Sequence, residues 1–102
     1  MTGTLRVGIL GAGGIARQHA IGWQQSAPRA EIIAVADVSL PRAQAIADQF
    51  TGGRARIYDG IASLVADPDV DAVDICLPHH LHTEAIISAA RAGKAILCEK
   101  PL

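Results

Sequence analysis

The chain of 102 residues has few aromatic side chains and little net charge, and both deficits limit what it can be. Only 3% of the residues are aromatic although 50% are hydrophobic, so the core must be built from Ala, Val, Ile and Leu. The formal net charge of −1 gives no electrostatic reason to expect a nucleic acid or an anionic membrane as partner. No apolar run has the length of a bilayer span, and the N-terminus does not resemble a signal peptide. We therefore expect one small cytoplasmic domain.

Cysteine is also scarce. The two cysteines, Cys76 and Cys98, each lie inside an apolar run. In that setting cysteine behaves as a small buried hydrophobe, and a disulfide is not expected in a reducing compartment. Neither residue has neighbours at zinc-site spacing. We predict two reduced thiols in the core.

Apolar, strand-like runs alternate with helix-like segments along the whole chain. Strands are predicted near residues 5–10, 31–37, 55–58, 72–77 and 95–98, and helices near 14–26, 41–50, 60–66 and 83–92. Asp59 is a candidate cap for the third helix, and Gly93 is placed to end the fourth in a left-handed conformation. Four of the strands are nearly continuous apolar runs, as in a parallel sheet covered on both faces. With right-handed crossovers, this pattern predicts a doubly wound α/β fold of strand order 3-2-1-4-5.

The first strand is followed by a glycine-rich turn that fits a phosphate-binding fingerprint. Its candidate ligand contacts, within the pattern G-x-G-x-x-A, are Gly11, Gly13, Gly14, Ile15 and Ala16. In this pattern glycine allows a sharp turn and close approach of a ligand, and the small final residue lets the helix pack closely on the strand. Backbone N–H groups at the helix start can then hold a pyrophosphate. The motif alone is also compatible with an ordinary tight turn.

An acidic residue lies at the end of the second predicted strand. Asp37 follows Ala16 by 21 residues, close to the spacing of about 20 at which an acid meets the adenosine ribose in dinucleotide-binding folds. Its carboxylate can accept hydrogen bonds from ribose hydroxyls and would repel a 2′-phosphate, which favours NAD over NADP. Two alternatives stay open: Asp37 could be a turn or capping acid before the helix start at Ser39, and Arg42 could bind a 2′-phosphate.

Two further segments are predicted at the same edge of the sheet. They are Pro78-His79-His80-Leu81-His82, after the fourth strand, and Glu99-Lys100-Pro101, after the fifth. With the glycine turn and Asp37, in this order and spacing, they make essentially the whole chain resemble the N-terminal part of the Gfo/Idh/MocA family (glucose-fructose oxidoreductase, inositol dehydrogenase and relatives). The resemblance implies hydride transfer between NAD, or NADP, and a secondary alcohol of a sugar, cyclitol or related polyol.

The resemblance also assigns roles by position. Lys100 would be the catalytic residue at the reacting hydroxyl or carbonyl, where its ammonium can stabilise alkoxide character. Glu99 would bind the nicotinamide ribose, and Pro78 and His82 match the family's pattern beside the nicotinamide. His79 stands where asparagine is usual, and a neutral imidazole donates only one hydrogen bond. An exposed ion pair is the alternative for Glu99 and Lys100.

The resemblance further implies that residues 1–102 are an incomplete dinucleotide-binding domain of a homo-oligomeric enzyme, whose substrate domain lies outside them. Relatives that cleave glycosidic bonds through the same cofactor, and nucleotide-sensing regulators, are alternative functions. His79, His80 and His82 could form a metal cluster, but three histidines in an irregular loop define no ligand geometry, and we predict no metal. His19, on the first helix, is expected to pack or to face solvent.

Overall fold

Strands and helices alternate along the chain in a computed structural model that describes residues 3–98. The strands are β1 (Leu5–Leu10), β2 (Ala30–Ala36), β3 (Arg56–Tyr58), β4 (Ala72–Ile75) and β5 (Ala95–Cys98). The helices are α1 (Gly14–Gln25), α2 (Leu40–Thr51), α3 (Ile61–Val65) and α4 (His82–Arg91). No helix within residues 3–98 combines the length and the apolar character needed to cross a membrane. The predicted sites Glu99 and Lys100 lie outside the described residues.

The five strands form one parallel sheet of order β3-β2-β1-β4-β5, which confirms the predicted topology. Strand β1 is central, with Ile9 opposite Val35 of β2 and Asp74 of β4. In a parallel sheet the carboxyl ends of all strands meet at one edge. The segments that follow β1, β2 and β4 therefore converge there, and the reversal of strand order between β1 and β4 opens a crevice for a ligand.

Helices cover both faces of the sheet and create two cores. Helices α1 and α2 pack on one face, and α3 and α4 pack on the other. The helices contribute mainly alanine to these cores: Ala16 and Ala20 of α1 and Ala85 and Ala89 of α4 are fully buried. The scarcity of aromatic residues therefore has the expected consequence, because small side chains let the helices lie close to the sheet.

Two helix ends follow the local sequence signals. Ser39 caps α2, since its hydroxyl accepts a hydrogen bond from the Arg42 N–H at 3.4 Å. Gly93 follows α4 with a φ of 74°, the left-handed conformation that its position predicts.

Two local predictions were wrong. Asp59 is not the cap of α3, because that helix begins one residue later than expected, with Gly60 at the cap position. The Asp59 carboxylate instead accepts a hydrogen bond from the Ser63 hydroxyl at 3.1 Å. The histidine segment is not an irregular loop: His79–Leu81 forms a 3₁₀ turn, and His82 begins α4 directly after it.

Ion pairs and hydrogen bonds join the strands near the amino edge of the sheet. Arg6 of β1 donates to the two carboxylate oxygens of Asp71, each at 3.3 Å. Asp67 is buried and accepts hydrogen bonds from Arg56 at 2.8 Å and from Tyr58 at 2.7 Å. Burial opposes the ionisation of Asp67, but the hydrogen bonds outweigh it and lower the pKa of this carboxyl to about 2. This edge is therefore held together by the protein's own charges.

Candidate functional site

The glycine turn leaves β1 at the carboxyl edge of the sheet, and Gly11 is required there by the fold. Its φ is 97°, which lies in the left-handed region that favours glycine. A Cβ at this position would lie 2.6 Å from the carbonyl oxygen of Cys76. The Gly11 N–H donates to the Ala36 carbonyl at 2.8 Å. The chain therefore turns in direct contact with the ends of both neighbouring strands.

Gly13 and Gly14 are not required by any contact within the described chain. Gly13 has a φ of −84°, which any residue can adopt. A Cβ added to either glycine would meet no atom within 4 Å. Space beside the backbone is what the close approach of a ligand needs.

The start of α1 is left without a cap. Gly13 occupies the cap position and supplies no side chain, and the first turn of α1 contains no acidic residue. Within residues 3–98, the N–H groups of Gly14 and Ile15 donate to no other residue, as expected for the first turn of an uncapped helix. Ala16 is fully buried, which lets this helix start lie close to β1. The turn therefore presents hydrogen-bond donors that an anion can accept.

Asp37 lies directly beside this turn and is oriented by it. Its Oδ2 accepts the Ala12 N–H at 2.8 Å, and its Oδ1 accepts the Ser39 N–H at 2.7 Å. The side chain is only half-buried, and a carboxylate oxygen can accept more than one hydrogen bond. The turn role and the ligand role, which were alternatives on the sequence, are therefore compatible in one carboxylate.

A pocket of about 380 Å³ opens beside the turn, between the starts of α1 and α2. It is lined by Ala12, Gly13, Gly14, Arg17, Arg42, Ala45 and Ile46. Arg42 therefore lies close to the glycine turn, as its alternative role at a 2′-phosphate requires. Arg17 is a second guanidinium at this pocket and hydrogen-bonds Gln49. Arg17 was not predicted as a site residue, although its place directly after Ala16 put it on the first turn of α1.

The segment after β4 contains one buried and two exposed members of the predicted site. Nε2 of His82 lies 2.8 Å from the Leu77 carbonyl oxygen, and its Nδ1 lies 3.4 Å from Sγ of Cys98. Pro78 and His79 are exposed, and the His79 ring centroid lies 5.1 Å from that of His82. His82 therefore connects this segment to β5, which leaves Pro78 and His79 as the residues most open to a ligand.

A buried polar cluster between α1 and β4 was missed by the sequence analysis. Asp74 has no exposed surface. Nδ1 of His19 lies 2.8 Å from each of its oxygens, and Nε1 of Trp23 donates to its Oδ2 at 2.7 Å. Sγ of Cys76 lies 3.6 Å from Oδ1 of Asp74. His19, which was expected to pack or to face solvent, does pack, since its side chain is 14% exposed, and its unpredicted partner is a buried acid.

Signals for this cluster were present in the sequence. Asp74 interrupts an otherwise apolar strand, and His19 and Trp23 are four residues apart, which places them on one side of a helix. Both cysteines are reduced, as predicted; Cys76 is buried, but Cys98 is only partly so. The cluster lies beneath the helix whose start forms the glycine turn.

Comparison with known proteins relates the chain to oxidoreductases. A family model described as an oxidoreductase family with an NAD-binding Rossmann fold (Gfo/Idh/MocA) matches residues 5–102. The inositol 2-dehydrogenase of Rhizobium meliloti strain 1021 is 46% identical over 99 residues, which are 97% of this chain and 28% of that protein.

Solved structures agree with this relation. The myo-inositol dehydrogenase of Lactobacillus casei, in complex with NAD(H) and myo-inositol, has a TM-score of 0.90 at 32% identity and covers 97% of this chain. A 3-ketoreductase of Actinomadura kijaniata, in complex with NADP and TDP-benzene, has a TM-score of 0.85 at 37% identity and again covers 97%. The match spans 29% and 30% of those two chains, so this chain has less than a third of their length.

Proposed function

Because the chain belongs to the Gfo/Idh/MocA oxidoreductase family with its NAD-binding Rossmann fold, we propose that it is the cofactor-binding part of an NAD(P)-dependent oxidoreductase. The observation that carries the proposal is a juxtaposition at the centre of the carboxyl edge. There the uncapped start of α1, at Gly13, lies beside the carboxylate of Asp37. The first suits a pyrophosphate, and the second suits an adenosine ribose.

In this proposal, different residues of the turn and its neighbour Asp37 bind different parts of the cofactor. The backbone at Gly13, Gly14 and Ile15 binds the pyrophosphate through N–H groups, while Ala16 keeps the helix close to the sheet. Asp37 accepts hydrogen bonds from the ribose hydroxyls through lone pairs that the Ala12 and Ser39 N–H groups leave available. A bound nicotinamide dinucleotide supplies the hydride chemistry, and the chain supplies orientation and charge.

We propose NAD as the preferred form of the cofactor. The Ala12 and Ser39 N–H groups hold Asp37 in place, so its charge would stand against the phosphate that distinguishes NADP. Arg17 and Arg42 line the adjoining pocket and offer positive charge to the same phosphate. NADP is therefore expected to bind more weakly than NAD rather than to be excluded.

On the nicotinamide side, we assign cofactor contacts to Pro78, His79 and Glu99, and the catalytic role to Lys100. His82 is assigned a place beside the nicotinamide, where its ring nitrogens hold this segment to Leu77 and Cys98. In this assignment the Lys100 ammonium donates a hydrogen bond to the reacting oxygen of the substrate and stabilises its negative charge. The family motif supports the roles of Glu99 and Lys100, and the exposure of Pro78 and His79 at the carboxyl edge agrees with theirs.

For the substrate, we propose a secondary alcohol of a sugar, cyclitol or related polyol. The support is that the similar myo-inositol dehydrogenase of Lactobacillus casei was solved with myo-inositol, a cyclitol. In the proposed reaction, hydride passes from the alcohol carbon to the nicotinamide, and Lys100 hydrogen-bonds the oxygen that becomes a carbonyl. We also propose that the complete protein is a homo-oligomer, which sedimentation analysis would test.

Calorimetric titration of the complete protein with NAD⁺ and NADP⁺ tests the cofactor proposal. We expect tighter binding of NAD⁺, and a loss of that preference in Asp37→Ala, which removes both the ribose acceptor and the repulsion. A folded wild-type protein that binds neither nucleotide would refute the proposal. Oxidation of myo-inositol and other polyols, followed through NADH absorbance, then tests the substrate class. Nucleotide binding without any turnover would instead favour a nucleotide-sensing regulator.

A further inference from the structure

We propose that Asp74 is a positioning residue for the nucleotide site. Through His19 and Trp23 it fixes the rotation of α1 about its axis, and thereby the direction of the N–H groups at the start of that helix. The inference rests on the proposed function, because it concerns how the same site is built. Asp74 itself contacts no ligand in this proposal.

Helix α1 gains from such a device because its other apolar contacts are either small or, like Ile15, only partly buried. Its fully buried residues, Ala16 and Ala20, are small. Small side chains permit a close approach but form only shallow ridges, so they resist rotation of the helix poorly. The helix start adds no restraint, because Gly13 supplies no side-chain cap. A start that is left open for a ligand must be held from elsewhere.

The cluster supplies a two-point attachment. His19 and Trp23 lie one turn apart on the same side of α1, and both contact a single carboxylate. The indole N–H of Trp23 can only donate, and Nδ1 of His19 lies within hydrogen-bond distance of both carboxyl oxygens. At 2.7 and 2.8 Å these contacts are short, and hydrogen bonds of this length are directional. Two of them at different heights fix both the rotation and the axial position of the helix.

On the sheet side, the attachment is made to a strand that pairs with the central strand β1. Asp74 belongs to β4 and is paired with Ile9 of β1, the strand that leads into the glycine turn. Strand β1 and helix α1, which flank the glycine turn, are therefore both held at Asp74. A buried carboxylate is seldom the most stable choice for a core, since apolar residues of similar volume are often at least as stabilising. Its presence fits a role in geometry better than a role in stability.

The cluster lies close to the glycine turn along the axis of α1. His19 lies six residues beyond Gly13, which is about 9 Å along a helix axis. A helix moves as a rigid body over this length, and a rotation of about 20° displaces backbone atoms by about 0.8 Å at the helix radius. Such a displacement is enough to spoil a hydrogen bond of about 2.9 Å. The N–H groups at the helix start are therefore sensitive to the cluster.

A metal ion is the competing explanation for the same residues. One donor atom each from His19, Asp74 and Cys76 lie within 4.8 Å of one another. However, the 2.8 Å between Nδ1 of His19 and the Asp74 oxygens is a hydrogen-bond length, and Trp23 already donates to one of those oxygens. The distances thus describe a hydrogen-bonded cluster, and the metal becomes an outcome of the test.

The test compares four variants of the complete protein: His19→Leu, His19→Asn, Trp23→Phe and Thr51→Ala. Leucine removes the donor, whereas the asparagine amide can place an N–H near the position of histidine Nδ1. Trp23→Phe removes only the indole N–H and keeps an aromatic ring. Thr51→Ala is the matched control, because it deletes a buried hydroxyl that bonds the Ala47 carbonyl at 2.6 Å, at the far end of α2.

We expect His19→Leu and Trp23→Phe each to raise the Kd for NAD⁺ about tenfold, because a misdirected N–H group at the helix start loses one hydrogen bond to the charged pyrophosphate. His19→Asn should keep most of the affinity, and Thr51→Ala should lower the melting temperature without changing the Kd. At saturation with NAD⁺, the ³¹P resonances of the bound pyrophosphate should shift in His19→Leu and Trp23→Phe but not in Thr51→Ala. A role in stability alone would not move those resonances.

Wild-type affinity and unshifted ³¹P resonances in folded His19→Leu or folded Trp23→Phe would overturn the inference while leaving the proposed function intact. If His19→Leu does not fold, the milder Trp23→Phe decides. Loss of NAD⁺ affinity from the wild-type protein after removal of metal by EDTA would also overturn it, in favour of a metal site. A wild-type protein that binds no NAD⁺ would refute the proposed function itself, and this inference with it.

Discussion

Alanine at Gly11 and alanine at Gly13 are predicted to have different consequences, although both glycines belong to one turn. At Gly11, alanine must adopt a φ of 97°, which costs about 1–2 kcal/mol for a residue with a Cβ. That Cβ would also lie 2.6 Å from the carbonyl oxygen of Cys76. A backbone oxygen cannot rotate away, so the end of β4 must move, which adds about 1–3 kcal/mol.

The sum for Gly11→Ala is a loss of about 2–5 kcal/mol in the free energy of unfolding, a large share of the roughly 5–15 kcal/mol of a typical domain. At Gly13 the φ of −84° suits alanine, and its Cβ would meet no atom within 4 Å. The poorer helix cap costs about 0.5–1 kcal/mol, and the lower entropy of the unfolded chain returns about 0.4–1 kcal/mol. Stability should therefore change by less than about 0.5 kcal/mol.

Affinity for NAD⁺, unlike stability, should be sensitive to Gly13→Ala. The methyl group of Gly13→Ala occupies the space beside the N–H groups of the helix start, where the pyrophosphate is proposed to lie. We expect the Kd for NAD⁺ to rise at least about tenfold, or about 1.4 kcal/mol. Gly22→Ala is the matched control: it lies within α1, its Cβ meets no atom within 4 Å, and it should stabilise the helix by about 0.5–1 kcal/mol.

Urea denaturation and calorimetric titration of the three variants measure the two quantities separately. A free energy of unfolding of Gly11→Ala within about 0.5 kcal/mol of the wild type would contradict the role of Gly11 in the fold. Equal NAD⁺ affinity of folded Gly13→Ala and Gly22→Ala would contradict the role of Gly13 in the site. In the second case the open space at Gly13 would have no connection with the cofactor.

Three further predictions concern charge. The pKa of Asp67 is lowered in the folded state from 3.8 to about 2, so its stabilising contribution is complete above about pH 4 and is lost as the pH falls towards 2. Because its partner Arg56 is half-exposed, we expect Asp67→Asn to cost about 1–2 kcal/mol in urea denaturation at pH 7 and little at pH 2. Arg42→Ala should raise the Kd for NADP⁺ about fivefold or more, leaving that for NAD⁺ unchanged by calorimetry. Lys100→Met should retain NAD⁺ affinity but lose polyol oxidation in the NADH absorbance assay.

The sheet could be predicted from the sequence because its determinants are local. The runs that became β1, β2, β4 and β5 are apolar nearly throughout, which indicates burial on both faces. Once the strands are parallel and the crossovers right-handed, few orders remain, and the observed order was among them. The meeting of the glycine turn with Asp37 follows from the same topology, since both lie at carboxyl ends of adjacent strands.

Side-chain partners could not be predicted in the same way. The contact between His19 and Asp74 joins residues 55 positions apart, and nothing near either residue specifies the other. Its prediction would need the depth at which α1 lies on the sheet, which small alanines determine through tertiary packing. The prediction that Asp59 caps α3 was wrong for a different reason. Helix α3 has only five residues, and an error of one residue in its predicted start moves the cap position to Gly60.

The two edges of the sheet use their polar groups in opposite ways, and the difference explains how the glycine turn can stay open. At the amino edge, Arg6 pairs with Asp71, 65 residues away, and Arg56 pairs with the buried Asp67, 11 residues away. These pairs fix the relative positions of the strands without any ligand. At the carboxyl edge, the start of α1 leaves N–H groups without acceptors among residues 3–98. A helix start can leave its N–H groups without acceptors only if other contacts stabilise the fold. The geometry of the site is therefore set by contacts remote from it.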